Sequence, residues 1–247
     1  MTTGVYRALA PAKVNLGLFL GPTRPEDGRH ELVTVMQSIS LADELTLEPA
    51  PADAVEDELV CPGVPGPAQE NLAAAALRAF RSSTGWDGPP LRLTIFKRIP
   101  VAAGLGGGSA DAAAALRLAL NASGLGEEEL LVELAGGLGA DVPAQVSPGR
   151  WLATGAGERL QELPGPQGQL GLLVLPLAAR LSTAAVYAEA DRLRLGRTPL
   201  EIEEQRRALG RALDSGEPTP AAKELLENDL ERAAVSLCPE IEDAQLI

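Results

Sequence analysis

"RIPVAAGLGGGSADAAAALRLAL", residues 98–120, places four glycines in five positions and then continues as an alanine-rich helical pattern. Its first two residues end "LRLTIFKRI" (residues 91–99), which alternates as a β-strand does. A strand, a glycine loop and a helix in this order expose main-chain N–H groups beside a helix N-terminus, where phosphates bind. Ser109 or Asp111 is expected to cap the helix. The stretch therefore predicts an anion cradle rather than a flexible turn.

Two common nucleotide-binding loops do not fit this stretch. A Walker loop needs a lysine directly after its glycines, and residues 104–110 contain none. A dinucleotide-binding fingerprint normally follows the first strand of a doubly wound unit, with an acidic residue about 20 positions further on. The cradle therefore belongs to another class.

The charge of the chain limits its partners. The formal net charge of −13 over 247 residues argues against a nucleic-acid polymer, since such proteins usually need basic surface to displace counterions. A small anionic ligand would need main-chain N–H groups, a metal ion or a few placed cations. The chain has three lysines, and two of them, Lys13 and Lys97, lie beside its most unusual local sequence.

Cysteine and histidine are scarce. Cys61, Cys238 and the single His30 argue against a disulfide framework and against cysteine- or histidine-ligated metal sites. The longest apolar run, near residues 170–181, is interrupted by a proline and an arginine and is too short to span a membrane. The N-terminus lacks the apolar core of a signal peptide. We expect a cytoplasmic protein with no metal site and no membrane partner.

Hydrophobic patterns predict further elements in the first half. Residues 5–21 are predicted to form two short strands separated by Pro11, because proline interrupts a strand ladder. Residues 31–49 are predicted to form two more strands, joined around residues 41–43. Asn71 is expected to cap a helix. The first half is thus mixed α and β.

The second half is predicted to begin with a strand at residues 170–176. Helices are expected from Ser182, near residues 200–213 and near residues 221–235.

Six short motifs together resemble one family. "PVAAGLGGGSADAA" (100–113) is similar to the phosphate-binding motif of the GHMP kinase superfamily. The other five resemble, in order and rough spacing, the 4-diphosphocytidyl-2-C-methyl-D-erythritol kinases of that superfamily: "PAKVNLGLFL" (11–20), "DGRHEL" (27–32), "ENL" (70–72), "KRIP" (97–100) and "GADVP" (139–143).

The resemblance implies a two-lobed α+β GHMP kinase fold. Residues 1–160 would form an N-terminal, ribosomal-protein-S5-like α/β lobe that binds ATP. Residues 161–247 would form a ferredoxin-like α+β lobe, apparently incomplete because the chain ends at Ile247 before a third, "SGSGP"-like motif. Either the sequence is a fragment or it is a shortened relative. We expect a monomer or a weak homodimer.

The resemblance also implies a reaction and its catalytic residues. ATP would phosphorylate the 2-hydroxyl of 4-diphosphocytidyl-2-C-methyl-D-erythritol in the non-mevalonate isoprenoid route. Asp141 would accept or orient the hydroxyl proton, and Lys13 beside it would bind the developing charge. Taken singly, Lys13 could be a solvated strand-end cation and Asp141 a helix cap. The two matching motifs favour catalysis.

The cytidine end of the substrate would be held by another set of residues. His30 would hydrogen-bond the cytosine edge, and Tyr187 would cover one face of the ring, although a core role is the rival for this tyrosine. Arg29 stands where the family has an aromatic residue, and its guanidinium can still stack on a base. Asn15 and Thr183 would complete the pocket.

ATP would be held mainly by main-chain groups. Ala110 replaces a family serine, which leaves Ser109 as the better hydroxyl for phosphate or Mg²⁺. Lys97 matches a nucleotide-contacting lysine, with an exposed strand residue as its rival. The full ATP-binding set implied is Asn71, Leu72, Lys97, Gly104, Leu105, Gly106, Gly107, Gly108 and Ser109.

Two alternatives remain open from sequence. Another GHMP-type small-molecule kinase is disfavoured because "DGRH" and "GADVP" together resemble the cytidine-binding type. A non-catalytic nucleotide-binding relative is supported mainly by the missing third motif, and unproductive ATP binding would indicate it.

Overall fold

The computed structural model describes residues 4–64, 66–165, 168, 171–177, 179, 181–214 and 226–245. These residues form β-strands and α-helices in mixed order, which confirms the α+β class. The strands are β1 (Tyr6–Thr23), β2 (His30–Pro49), β3 (Glu58–Val60), β4 (Leu91–Phe96), β5 (Arg150–Thr154) and β6 (Arg159–Leu163). The helices are α1 (Leu72–Thr84), α2 (Gly107–Ser123), α3 (Glu128–Leu138), α4 (Val142–Val146), α5 (Thr183–Leu193), α6 (Pro199–Asp214), α7 (Glu231–Leu237) and α8 (Glu240–Gln245).

The chain divides into two compact units that alternate along the sequence. The first unit comprises Met1–Lys13, Ser38–Val101 and Leu105–Pro148, and the second comprises Val14–Gln37, Ala102–Gly104 and Gly149–Ile247. The lobe boundary between residues 160 and 161 stays a prediction.

In the first unit, β4 lies between two other strands. It pairs antiparallel with the second half of β2, where Leu45 lies opposite Ile95, and parallel with β3. Alternate residues of β4 point to opposite faces of the sheet, so that Leu93 and Ile95 are buried and Phe96 is exposed. The buried face joins one apolar core with helices α1 to α4, and Phe80 is the largest fully buried side chain of this core.

In the second unit, the first half of β2 pairs antiparallel with β5, and β5 pairs antiparallel with β6. Phe19 and Val35 form an apolar core with Leu152 of β5 and with Ile202 and Leu209 of α6. A smaller apolar cluster contains Leu20, Ala190 and Ala233.

The two predicted strand breaks are wrong. β1 continues through Pro11. Among the described strands β1 pairs with β2 only, and a proline is tolerated in a strand that has one strand neighbour. β2 continues through Asp43 because the buried carboxylate of this residue accepts the main-chain N–H groups of Arg98 and Ile99, at 2.5 and 2.9 Å. Aspartate is common in turns, but Asp43 can lie inside a strand because its carboxylate is hydrogen-bonded.

The predicted strand at 170–176 is also wrong for the part that the structure describes. Residues 171–177 have no regular secondary structure, and Leu172, Leu173 and Leu175 are exposed. Residue 170 lies outside the described residues.

Most predicted helices are confirmed. Asn71 caps α1 through a hydrogen bond from the Ala73 N–H group to Oδ1, and Ser182 caps α5. Helix α6 covers residues 200–213. Of the helix predicted at 221–235, residues 221–225 lie outside the described residues. The prediction is wrong for residues 226–230, which are not α-helical, and α7 covers residues 231–235 of the range.

The predicted cap of α2 is wrong. The helix begins at Gly107, its N-cap is Gly106, and Ser109 and Asp111 lie inside it. Among the described residues, no helix is both long and apolar enough to cross a bilayer.

Candidate active site

The glycine loop has the backbone that its sequence predicts. Gly104 and Gly106 have φ angles of 73° and 68°, in the left-handed region that glycine adopts without steric cost. A Cβ atom at Gly104 would meet nothing within 4 Å, whereas one at Gly106 would lie 2.9 Å from Cγ of Lys13. The loop can therefore approach a ligand closely with its main chain.

The N-terminus of α2 follows this loop directly. The Ala110 N–H group makes a helix-type hydrogen bond, to the Gly106 carbonyl at 2.9 Å. The N–H groups before it have no acceptor within an α-helix, and the helix dipole places partial positive charge there. Gly108 is exposed and Ser109 half-buried. This turn can bind an anion such as a phosphate.

Lys13 and Asp141 form an ion pair within the first unit. Lys13 Nζ lies 3.3 Å from Asp141 Oδ2, and the lysine side chain is 11% exposed against 39% for the aspartate. The main chain of Lys13 is fixed by a hydrogen bond from its N–H group to the Leu105 carbonyl at 2.9 Å. The lysine is held in place while its partner carboxylate remains accessible.

The helix-cap alternative for Asp141 is not what the structure shows. Asp141 occupies the N-cap position of α4, but its side chain accepts no capping hydrogen bond. Its carboxylate is therefore oriented by Lys13 and not by the helix that follows.

Lys97 lies in a second, more deeply buried cluster of the first unit. Its Nζ lies 2.7 Å from Asp111 Oδ2 and 2.5 Å from Asp43 Oδ2. A Cβ atom on Gly107 would lie 3.2 Å from Lys97 Nζ. The ammonium group thus lies directly beneath the first residue of α2, and the exposed-strand alternative for Lys97 does not hold.

Burial controls the ionisation of this cluster. Loss of water raises the pKa of Asp111 to about 7, although the hydrogen bond from Lys97 opposes the shift. The pKa of Lys97 is raised, because hydrogen bonds to Asp111 and Asp43 outweigh burial, which lowers it. Asp111 Oδ1 is buried and has no hydrogen-bond partner among the described residues. One ammonium group therefore serves two buried carboxyl groups.

Asn71 and Leu72 lie where α1 begins, and Asn71 is occupied by its capping role. Leu72 is partly exposed, and a Cβ atom at Gly108 would lie 3.8 Å from Leu72 Cδ1. Of these two side chains, that of Leu72 is the better placed to contact a ligand held by the glycine loop.

The second unit brings His30 and Tyr187 together. Their ring centroids are 5.6 Å apart, and the planes are tilted by 41°. His30 Nδ1 lies 3.1 Å from the Gly21 carbonyl oxygen, and His30 Nε2 lies 3.1 Å from Asp191 Oδ1. Both ring nitrogens thus have partners within the protein. Tyr187 also packs against the apolar cluster around Leu20, which agrees with its alternative role in the core.

The other predicted cytidine residues also lie in the second unit. Asn15 Nδ2 donates to the Thr34 hydroxyl at 2.7 Å, which fixes its amide. Arg29 donates to the Ala156 carbonyl at 2.6 Å. Thr183 is exposed in the first turn of α5.

Sequence reasoning missed three acidic residues. Asp43, Asp111 and Asp191 contact predicted site residues, and none was selected for such a contact. An aspartate within an otherwise apolar strand pattern was a usable signal for Asp43, because an unpaired carboxylate is rarely buried. Asp191 lies 161 positions from His30 in the chain, and no local pattern connects them.

No group of three or more histidine, cysteine or carboxylate side chains within the described ranges is arranged to hold a metal ion.

Comparison with known proteins identifies relatives of this chain. The family "GHMP kinases N terminal domain" matches residues 71–149. The 4-diphosphocytidyl-2-C-methyl-D-erythritol kinase of Saccharopolyspora erythraea is 46% identical over 93% of this chain and 72% of its own length. The protein of the same name from Nocardia farcinica is 45% identical over 94% of this chain and 74% of its own length.

A solved structure supports the same relationship. The crystal structure of a 4-(cytidine 5'-diphospho)-2C-methyl-D-erythritol kinase superposes with a TM-score of 0.69 at 36% identity. The match covers 97% of this chain and 81% of that protein. The predicted GHMP kinase fold is confirmed.

Proposed function

This chain belongs to the 4-diphosphocytidyl-2-C-methyl-D-erythritol kinase family within the GHMP kinases, and we propose that it phosphorylates the 2-hydroxyl of that cytidine diphosphate compound with ATP. The reaction would supply the non-mevalonate route to isoprenoid precursors. The chain is a small-molecule kinase of the GHMP type.

The observation that carries the proposal is the 3.3 Å contact between Lys13 and Asp141, in the same unit as the Gly106–Ser109 turn. Phosphoryl transfer needs positioning, charge neutralisation and a group that handles the hydroxyl proton. In the proposed reaction Asp141 takes that proton. The hydroxyl oxygen forms a bond to the γ-phosphorus while the bond from that phosphorus to ADP breaks. Lys13 stabilises the negative charge that develops.

The glycine loop is proposed to hold the phosphates of ATP. Main-chain N–H groups at Gly104–Ser109 and the N-terminus of α2 supply the donors. Lys97 would support the loop from beneath Gly107 while its ammonium group stays paired with Asp43 and Asp111. Asn71 and Leu72 would lie on the nucleoside side.

Magnesium fits this site as a companion of ATP. Mg²⁺ prefers oxygen ligands and usually binds through phosphates with one or two protein groups. The Ser109 hydroxyl, at the N-terminus of α2, is a suitable oxygen donor for the ion. When bound, the ion would neutralise phosphate charge.

We propose the second unit for cytidine recognition. The paired rings of His30 and Tyr187 offer an aromatic surface for a base. Because His30 Nε2 already contacts Asp191 Oδ1, cytosine would bind His30 beside Asp191 or in place of it. Arg29, Asn15 and Thr183 would add polar contacts around the ring.

The setting that we propose is the cytoplasm, with a monomer or weak homodimer as the working form. Cys61 and Cys238 are both free thiols, as is usual for cytosolic proteins. The net charge of −13 argues against a nucleic-acid polymer as a partner, and a small anionic substrate would be held by local main-chain donors against this charge.

The proposal is tested by coupling ADP release to an optical assay with three acceptors. We expect turnover with 4-diphosphocytidyl-2-C-methyl-D-erythritol, and background rates with mevalonate and homoserine. Phosphorus NMR of the product should show a new phosphate monoester. Equal use of mevalonate, or ATP binding without transfer to any acceptor, contradicts the proposal.

A further inference from the structure

Arg117 lies in α2, ten positions after the first residue of the helix. Its guanidinium donates three hydrogen bonds to main-chain carbonyls. Nη1 lies 2.6 Å from the Gln145 oxygen and 3.1 Å from the Val146 oxygen, and Nη2 lies 2.7 Å from the Leu9 oxygen. All of these residues belong to the first unit.

The three carbonyls belong to the two elements that carry Lys13 and Asp141. Leu9 precedes Lys13 by four positions in β1. Gln145 and Val146 end α4, the five-residue helix whose N-cap is Asp141. Arg117 itself belongs to the helix whose N-terminus forms the anion cradle. One side chain therefore ties together the strand, the short helix and the long helix that carry the proposed site.

The chemistry of arginine suits this position. The last carbonyls of a helix have no intrahelical donor, and a cation there also interacts favourably with the helix dipole. The planar guanidinium presents five N–H donors in a fixed fork, so that it can reach two elements at once. Lysine presents all its donors from one nitrogen and cannot reproduce the fork.

The arginine has no acidic partner within ion-pair distance in the described part of the chain, so carbonyls alone compensate its charge. Burial lowers the pKa of Arg117, yet a guanidinium stays protonated in proteins. The buried face of α2 is mostly alanine, and its packing against neighbouring elements is therefore apolar and non-directional. The polar contacts of Arg117 are therefore suited to set the spacing.

We propose that Arg117 is a positioning residue for phosphoryl transfer, which sets the separation of Lys13 and Asp141 by holding β1 and α4 against α2. The inference rests on the proposed function of that pair. A displacement of about 1 Å in a reacting geometry can lower the rate by about a hundredfold, so loss of the fork should appear in turnover.

The primary variant is Arg117→Met, which keeps the length of the side chain and removes its donors. We expect kcat to fall by about 10- to 100-fold. The KM for ATP should change by less than about threefold, because Arg117 does not contact the cradle. If Arg117→Met does not fold, Arg117→Lys replaces it, with an expected fall in kcat of about 3- to 10-fold.

Arg81→Met is the matched control. Arg81 in α1 makes the same kind of contacts, with the carbonyls of Trp86, Gly88 and Pro89 and with the Asp57 carboxylate. None of these groups lies on an element that carries a proposed catalytic residue. We expect Arg81→Met to lower the melting temperature and to leave kcat within about twofold of wild type, measured well below that temperature.

A double-mutant cycle with Asp141→Asn separates positioning from general stability. If Arg117 acts through the pair, Arg117→Met should lower the residual turnover of Asp141→Asn by less than about threefold. The proposal is overturned by an equal loss in both backgrounds, or by wild-type kcat in a folded Arg117 variant. No turnover by the wild type would instead contradict the proposed function.

Discussion

Two lysine–aspartate clusters in the first unit use the same residue types and differ in exposure. Lys13 pairs with Asp141, whose side chain is 39% exposed. Lys97 contacts Asp43 and Asp111, whose side chains are 0% and 4% exposed. Reaction with a substrate hydroxyl requires a carboxylate that the substrate can reach. The first cluster meets this condition, and the second does not.

The two clusters are connected to adjacent glycines of the same loop. A Cβ atom at Gly106 would meet the side chain of Lys13, and one at Gly107 would meet Lys97 and Ile99. The accessible pair is suited to transfer a proton, and the buried trio to hold the floor of the cradle. Substitutions in each cluster should therefore affect different measurements.

The largest expected effect is that of Asp141→Asn on turnover. The amide keeps the shape of the side chain and cannot accept the hydroxyl proton, so kcat should fall by about 10²- to 10⁴-fold. ATP affinity, measured by calorimetry, should change little because the glycine loop makes the phosphate contacts through its main chain. Full turnover by this variant would show that Asp141 is not the proton acceptor.

The second prediction compares Lys97→Met with Lys13→Met. Removing Lys97 leaves two buried carboxyl groups without their ammonium partner, which should lower the free energy of unfolding by about 3 kcal/mol. Lys13→Met should leave that free energy within about 1 kcal/mol of wild type, because its partner is partly solvated, and lower kcat by about 10²-fold.

Urea unfolding and steady-state kinetics on both variants test this contrast. If Lys97→Met is as stable as wild type and its main effect is a higher KM for ATP, Lys97 acts on the nucleotide directly. The distinction between the two clusters would then be wrong.

The sequence predicted the backbone of the glycine loop and the contact between Lys13 and Asp141, because each depends on local backbone or on a motif. Asn71 as a cap, the start of a helix at Ser182 and the glycines at positive φ follow from local rules. The pairing of Lys13 with Asp141 came from two matched motifs, since the residues are 128 positions apart.

The errors came from tertiary contacts that override local preference. The sequence predicts strand breaks at Pro11 and around Asp43, and both strands continue. Pro11 is tolerated because β1 pairs with β2 only among the described strands, and Asp43 is tolerated because its buried carboxylate accepts two main-chain hydrogen bonds. The exposed segment 171–177 has the composition of a strand, but strand formation also needs a partner. The contacts of Asp111 and Arg117 could not be predicted, because nothing local indicates which groups an inward-facing helical side chain will meet.

The third prediction concerns the pH dependence of stability. The pKa of Asp111 is about 7 in the folded protein and ordinarily 3.8, so between these values the folded chain holds a proton that the unfolded chain has released. The contribution of Asp111 to stability is fully present below pH 3.8 and is lost as the pH rises through 7. Asp111→Asn cannot ionise and should lack this loss. The free energy of unfolding of Asp111→Asn minus that of wild type should therefore be larger at pH 8 than at pH 5, by about 1 to 3 kcal/mol.

Chemical unfolding at both pH values measures this difference. Glu44→Gln, at a half-exposed carboxylate paired with Arg98, is the control and should change the difference by less than about 0.5 kcal/mol. Parallel pH profiles for wild type and Asp111→Asn would show that Asp111 does not titrate in this range.

The smallest expected effects come from alanine at the two glycines. At Gly106, a Cβ atom would meet Lys13 Cγ at 2.9 Å and would hold a non-glycine residue at a φ of 68°. Gly106→Ala should therefore cost about 1 kcal/mol of stability and lower kcat by about 10-fold through Lys13.

Gly107 lies in helical backbone, outside the left-handed region. A Cβ atom there would lie 3.0 Å from Ile99 Cγ2 and 3.2 Å from Lys97 Nζ, and these contacts need a smaller adjustment. Gly107→Ala should change kcat by less than about threefold, because alanine favours the helix and only the Lys97 cluster must move. Kinetics and urea unfolding of both variants measure these effects. A larger loss of kcat in Gly107→Ala than in Gly106→Ala would place the buried trio, and not the accessible pair, closer to the chemistry.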